Sequence, residues 1–143
     1  MPIHDCPLTY SDGGSLVAYL PVTIINPRTG DCIRTKGLID TGADECSIPS
    51  GFAKKLGHKL YSGTKTQVTT GKGLTAAWSH TTIFLIHHPD TSEVIYTTPE
   101  VPIDYMKDLP TVLLGVNSFL SRFVITLDYP KNVFSLTKPF TGP

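Results

Sequence analysis

The sequence predicts an all-β protein with a single domain. Short segments rich in Val, Ile, Leu and Tyr recur along the chain. Clusters of Pro, Gly, Asn and Asp separate them, as in a protein of many short strands joined by turns. Twelve Pro and twelve Gly in 143 residues agree with so many turns. A chain of this length can bury a real hydrophobic core within one domain.

Eight segments are predicted to be strands because they are rich in β-branched and aromatic residues and are bounded by turn residues. Three turn clusters, at residues 26–30, 89–92 and 130–132, join consecutive segments, so three hairpins are expected. The predicted strands cover residues 16–25, 31–39, 45–49, 81–87, 93–98, 111–114, 123–129 and 133–136.

Two short helices are predicted between the strands. The first covers residues 51–56, with Ser50 as its N-cap and Gly57 after its last turn. The second covers residues 115–121, which follow a brief apolar strand. Neither is long enough to change the fold class.

The remaining segments carry weaker signals. Residues 58–79 are expected to be extended chain, and residues 101–110 are expected to be irregular. The chain then divides into an N-terminal arm over residues 1–15, one domain over residues 16–138, and a C-terminal tail over residues 139–143.

Charge and hydropathy exclude two classes of partner. Twelve basic and twelve acidic side chains cancel, and nothing resembles the basic surface of a nucleic-acid-binding protein. The longest apolar runs, such as residues 83–86, are far too short to span a bilayer. We therefore expect neither a nucleic-acid partner nor membrane association.

The three cysteines, Cys6, Cys32 and Cys46, are odd in number and have no metal-ligand spacing. Reduced thiols in a cytoplasmic protein are the simplest interpretation. The first residues show no basic region followed by an apolar stretch, so no signal peptide is expected.

The most informative motif is Asp40–Ala43, which follows the apolar pair Leu38-Ile39. It predicts a strand that ends in a carboxylate and is followed at once by a tight turn. Gly42 allows that turn because glycine tolerates backbone angles that other residues resist. A turn without any catalytic role is the alternative interpretation of this tripeptide.

A second element, Leu113–Gly115, repeats the pattern of two apolar residues before a glycine. Hydrolysis by carboxylates needs two of them about 3 Å apart, sharing one proton. One takes a proton from water, and the other polarises the scissile carbonyl. Asp40 is the candidate for one of these carboxylates, and the downstream element favours this over a simple turn.

These residues give the chain its resemblance to the retropepsins, the single-domain aspartic proteases of retroviruses and of related cellular and bacterial proteins. The resemblance covers residues 16–136, and the ending over residues 125–132 is closer to bacterial and cellular members than to viral ones. It implies a closed or half-barrel fold with one or two short helices. The motifs that carry it are residues 38–44, 70–73 and 112–117.

The resemblance also implies catalytic roles. Asp40 would be the catalytic acid, Thr41 would form a hydrogen bond across a dimer axis, and Gly42 would shape the turn. Ala43 and Asp44 would line the substrate cleft and contact the peptide backbone. No metal and no organic cofactor are implied, because the nucleophile is water.

Two further sets of residues are implied to bind substrate. Thr70, Gly71, Lys72 and Gly73 would form the tip of a flap that closes over the peptide and excludes water. Leu113 would face an apolar side-chain pocket. The implied activity is endopeptidase cleavage between apolar residues of an extended polypeptide.

One position departs from the viral pattern. Viral members commonly have Arg directly after the glycine of the third motif, where it pairs with the acid two residues past Asp-Thr-Gly. Here that position is Val116, so Asp44 lacks the expected partner. Arg34 and Arg122 are the candidates to replace it.

The chain contains one Asp-Thr-Gly motif, whereas a single-chain pepsin-like enzyme has two in about twice this length. Residues 90–92 are the only other candidate, but they follow no apolar strand and have Ser in place of Gly. We therefore expect a homodimer in which each chain supplies one Asp40. The alternatives are a peptide-binding or dimerisation module without turnover, and an enzyme that acts only on its own precursor.

The histidines and Cys46 are predicted to have structural rather than catalytic or metal-binding roles. His87 and His88 could be metal ligands, but neighbours on a strand point to opposite faces, and an exposed strand end is preferred. His58 and His80 are expected at the surface. Cys46 is expected to be a small core residue rather than a nucleophile.

Overall fold

The computed structural model describes residues 2–139. Strands dominate this part of the chain, joined by one α-helix, α1 (Phe52–Lys55), and by 3-10 turns at Leu60–Ser62 and Leu120–Arg122. The strands are β1 (Ile3–Pro7), β2 (Thr9–Tyr10), β3 (Leu16–Val17), β4 (Tyr19–Ile25), β5 (Cys32–Ile39), β6 (Ser47–Pro49), β7 (Thr64–Thr70), β8 (Gly73–His87), β9 (Val94–Thr97), β10 (Val101–Met106), β11 (Val112–Leu114), β12 (Val124–Asp128) and β13 (Val133–Thr137).

The main sheet closes on itself. Its strand order is β10-β6-β11-β5-β4-β8-β7, and β9 pairs with β8. The first half of β8 also pairs with β10, through Ala77–Thr82, while its second half pairs with β4, through Ile83–Ile86. The sheet therefore returns to its first strand as a barrel, which confirms the all-β prediction.

Every second side chain along the strands points inward and fills the interior of the barrel. On β4, Leu20, Val22 and Ile24 are fully buried while their neighbours are half-exposed, as expected for a period of two. Phe84 and Ile86 of β8 join them in one continuous core. The last residues of β5 and β11, beside Asp40, also pack in this core.

A smaller sheet packs against the barrel, with strand order β1-β13-β12. β1 comes from the segment predicted as an N-terminal arm, and it pairs with β13 rather than standing free. Ile3 is almost fully buried, and Leu8 is 7% exposed. The smaller sheet leaves the outer backbone edge of β12 without a partner strand in the described chain.

The structure confirms the three predicted hairpins but corrects the predicted helices. Gly51, not Ser50, is the N-cap of α1, and no side chain caps it. Residues 116–119 form turns, where Val116 and Asn117 donate their backbone N–H groups to the loop after Asp40. Only the end of the predicted second helix is helical, as the 3-10 turn Leu120–Arg122.

One other prediction was wrong. Residues 101–106 are a strand rather than irregular chain. Pro102 and Asp104 hid the strand signal there, since neither residue favours a strand by itself. Residues 64–79 are extended as predicted, and they form a hairpin of β7 with the first half of β8.

Candidate active site

Asp40 lies directly after β5, beside β11, the strand that pairs with the end of β5. Leu113 and Leu114 of β11 pair in parallel with Leu38 and Ile39 of β5. The backbone N–H of Asp40 donates to the carbonyl of Leu114 at 3.0 Å. A strand distant in sequence therefore fixes the backbone that carries the Asp40 carboxylate.

The turn after Asp40 points one of its carboxylate oxygens at the backbone. The N–H of Gly42 donates to Oδ1 of Asp40 at 2.9 Å. The N–H of Ala43 donates to the Asp40 carbonyl at 3.2 Å. The side chain is half-buried. Within residues 2–139 the other carboxylate oxygen accepts no hydrogen bond, so it can meet solvent or substrate.

The third motif binds the Asp40 loop by hydrogen bonds rather than by the ion pair seen in the viral pattern. The backbone N–H groups of Val116 and Asn117 donate to the carbonyls of Ala43 and Asp44, at 2.9 and 2.8 Å. The carboxylate of Glu45 accepts hydrogen bonds from the Asn117 side-chain amide at 2.9 Å and from the Ser118 hydroxyl at 2.8 Å. This connection uses Glu45 and needs no arginine.

Neither arginine considered for Asp44 takes the expected place. The guanidinium of Arg34 instead donates to the Ser92 hydroxyl at 3.3 Å. Within residues 2–139, Arg122 lies in the 3-10 turn that follows the third motif and forms no ion pair with Asp44. The Asp44 carboxylate is exposed.

A cleft of about 480 Å³ separates the Asp40 loop from the β7–β8 hairpin. Its floor is formed by β6, β10 and β11, and its roof by the end of β7. Thirteen residues line it: Asp40, Gly42, Ala43, Asp44, Glu45, Ser47, Val68, Thr69, Thr70, Gly71, Asp104, Met106 and Leu113.

Most of the residues predicted to form the site meet in this cleft, although three do not line it. Thr41 instead lines a small cavity on the other side of the loop, of about 140 Å³. Lys72 lines a neighbouring groove. Gly73 has a φ of +105° and completes the tight turn at the end of the hairpin.

Sequence reasoning missed the cleft floor on β10. Asp104 and Met106 line the cleft, whereas Ile103 and Tyr105 between and beside them face the core. The alternation along residues 103–106 was the available signal, and the neighbouring Pro102 obscured it.

The structure is similar to the crystal structure of a retropepsin-like aspartic protease from Rickettsia conorii. The match has a TM-score of 0.62 and covers 94% of this chain and 99% of that chain, at 21% sequence identity. The chain has a retropepsin-like fold. No protein-family model and no curated protein matches the sequence.

The retropepsin-like fold also contains a larger, polar cavity, of about 820 Å³, away from Asp40. It lies between the β4–β5 turn and the base of the β7–β8 hairpin. His58 and His80 stack there with ring centroids 4.5 Å apart, and each packs edge-on to Tyr105. The prediction of a surface position was wrong for His58, which is 9% exposed.

The other two histidines considered are also buried. Nε2 of His87 lies 2.8 Å from the Thr23 hydroxyl, and its Nδ1 lies 2.9 Å from the carbonyl of Ser92. Nδ1 of His88 accepts a hydrogen bond from the N–H of Asp90 at 3.1 Å. They organise the β8–β9 turn rather than forming an exposed strand end.

Cys46 lies beneath the Asp40 loop and is 1% exposed, as predicted for a core residue. Burial raises the pKa of its thiol to about 11, although a hydrogen bond from the Gly115 N–H lowers it in part. The thiol is therefore protonated and unsuited to nucleophilic attack. In the described chain, no three His, Cys, Asp or Glu side chains are grouped to hold a metal ion, and no helix is long and apolar enough to cross a membrane.

We expect acidification to weaken folding through His58. Burial, together with His80 and Arg28, lowers its pKa from the ordinary value of 6.5. Neutral His58 then contributes stability that is present above pH 6.5 and is lost as the pH falls below it, because the unfolded chain binds the proton more readily. Urea unfolding at pH 7.5 and 5.0 should show a smaller loss of stability for His58→Phe than for the wild type.

The exposed His4 provides the matched control. His4→Phe should lose as much stability between the two pH values as the wild type does. An equal loss for His58→Phe and the wild type would contradict the assignment.

Proposed function

We propose that this chain is an aspartic endopeptidase in which two copies each supply one Asp40 carboxylate. The observation that supports this most directly is the place of Asp40, held at a strand end by Leu114 and Gly42 and facing a cleft. Water between the two carboxylates is the nucleophile. One carboxylate removes its proton while the protonated one polarises the peptide carbonyl.

A single chain offers one such carboxylate. The other candidate motif, residues 90–92, lies in the β8–β9 turn, where Ser92 has a φ of +64°. His88 accepts a hydrogen bond from the N–H of Asp90 there. These residues therefore have a structural role, and completing the site calls for a second molecule.

The surface beside Asp40 supports pairing of two chains. The small cavity on that side is lined by Asp40 and Thr41 together with Leu127 and Tyr129 at the end of β12. Leu127 and Tyr129 are 37% and 56% exposed. The backbone edge of β12, which has no partner strand within residues 2–139, forms with these two apolar side chains a surface that a second copy can cover.

The β7–β8 hairpin is the proposed flap. Its end contributes Val68, Thr70 and Gly71 to the cleft roof, and Leu74 beside its turn is 69% exposed. An extended peptide lying between this hairpin and the floor would be shielded from water when the hairpin closes.

Incubation with a denatured protein across pH 3–7, with and without a statine-type inhibitor, tests the proposed activity. Cleavage that the inhibitor blocks is expected, with an optimum at acidic to mildly acidic pH. Stable binding of peptides with no cleavage at any pH would favour a binding module instead.

We expect an inactive chain to inhibit the active one if the site is shared. With random pairing, a ninefold excess of Asp40→Asn leaves ~10% of wild-type chains paired with each other, so activity should fall about tenfold. Peptidase rate at constant wild-type concentration is the measurement. An unchanged rate in a preparation shown to exchange subunits would mean that one chain is sufficient.

A control variant tests the proposed surface. The same excess of a chain carrying both Asp40→Asn and Leu127→Asp should inhibit much less, because burying an unpaired charge opposes pairing.

A further inference from the structure

Asp104 lies on the floor of the cleft, on β10. It pairs with Ser47 of β6 on one side and with Ser79 of β8 on the other. Met106 and Leu113 line the same floor. The carboxylate is half-buried, and its strand holds it rigidly, since Ile103 and Tyr105 on either side are fixed in the core.

The charges around this carboxylate are all of one sign. The lining residues include four acids, Asp40, Asp44, Glu45 and Asp104, and no basic side chain. Lys72 and Lys107 lie in the neighbouring groove, beyond Thr70 and Met106. A peptide entering the cleft therefore meets negative charge that no basic lining side chain within residues 2–139 compensates.

The surroundings of Asp104 raise the pKa of its carboxyl group. Burial raises it, and the negative charge of Glu45 raises it further. Glu45 cannot turn away, because Asn117 and Ser118 bind its carboxylate. A bound cation would relieve both effects, since an opposite charge stabilises a desolvated carboxylate.

We propose that Asp104 is a specificity-determining residue that selects a lysine or arginine side chain in the polypeptide held by this cleft. The inference rests on the proposed function and specifies its substrate class. The stem of such a side chain is apolar and suits contact with Met106 and Leu113. Its charged end then forms a charge-assisted hydrogen bond with the carboxylate.

The test compares octapeptides with a central Phe–Leu bond and Ala elsewhere, in which each outer position in turn holds Lys, norleucine or Glu. Norleucine matches the stem of Lys without its charge. At one position, kcat/KM at pH 6 should be at least ~10-fold higher for Lys than for norleucine, as a charge-assisted hydrogen bond implies. Glu at that position should be the poorest substrate.

Asp104→Asn should bring the ratio of Lys to norleucine close to one. Glu100→Gln is the matched control, because Glu100 is exposed and outside the cleft, and it should leave the ratio unchanged. A preference for Lys that survives Asp104→Asn, or a ratio near one at every position in the wild type, would overturn the assignment. Circular dichroism of both variants confirms that they are folded.

A separate measurement distinguishes this inference from the proposed activity. If the chain cleaves none of the peptides, the proposed endopeptidase function fails, and binding then decides the specificity. Fluorescence anisotropy with labelled Lys and norleucine peptides on the Asp40→Asn variant should show tighter binding of the Lys peptide. Equal affinity would overturn the role of Asp104 even if wild-type cleavage is observed.

Discussion

Replacing Asp40 with Asn should lower peptidase activity by at least ~10³-fold, since it removes the group that accepts the proton from water. The chain should remain folded, because the side-chain oxygen of Asn can still accept the hydrogen bond that Gly42 donates to Asp40. The measurements are kcat/KM on a peptide substrate and the thermal unfolding midpoint of the same preparation.

Asp12→Asn is the control for this substitution. Asp12 is exposed in a turn and does not line the cleft. The same chemical change there should leave activity within experimental error. If Asp40→Asn kept its activity while folded, the carboxylate mechanism would have to be abandoned.

Gly115→Ala should destabilise the fold by about 1–3 kcal/mol, the usual cost of inserting a methyl group into a packed interior. A Cβ at Gly115 would overlap the backbone carbonyl of Glu45 and lie 2.9 Å from the carbonyl oxygen of Ala43. Backbone atoms cannot move aside as a flexible side chain can. For a domain of about this size, each kcal/mol lowers Tm by ~2–4 °C.

The same substitution should reduce activity, because it displaces the loop that carries Asp40. A shift of about 1 Å in a catalytic group can cost ~10²-fold in rate. Gly13→Ala is the control, since a Cβ there meets only the Ser11 hydroxyl oxygen, at 3.8 Å. Wild-type melting of Gly115→Ala would show that the third motif does not pack closely on the Asp40 loop.

The hairpins could be predicted because their signals are local. Residues 16–39 alternate in burial and have a turn cluster at 26–30, so periodicity and turn chemistry agree. The long strand β8 could not be predicted in full. It pairs with β7 and β10 along its first half and with β4 and β9 along its second. The residues of β8 do not by themselves specify these partners.

The sequence also did not predict which polar residues are buried. His58, His87 and His88 were expected at the surface, because isolated histidines usually lie there. The structure buries them against partners that are distant in sequence, such as Tyr105 for His58 and Thr23 for His87. Burial of this kind depends on those partners, so no local pattern could have revealed it.

The sequence alone determined that the chain has an all-β fold and a single Asp-Thr-Gly motif at a strand end, because both follow from local residue order. The tertiary structure decided what surrounds that carboxylate. Pairing of β5 with β11, 74 residues apart at Leu114 and Asp40, holds the loop, and Glu45 replaces an expected ion pair with hydrogen bonds. It also placed Asp104 on the cleft floor, because only closure of the barrel brings β10 beside β6 and β8.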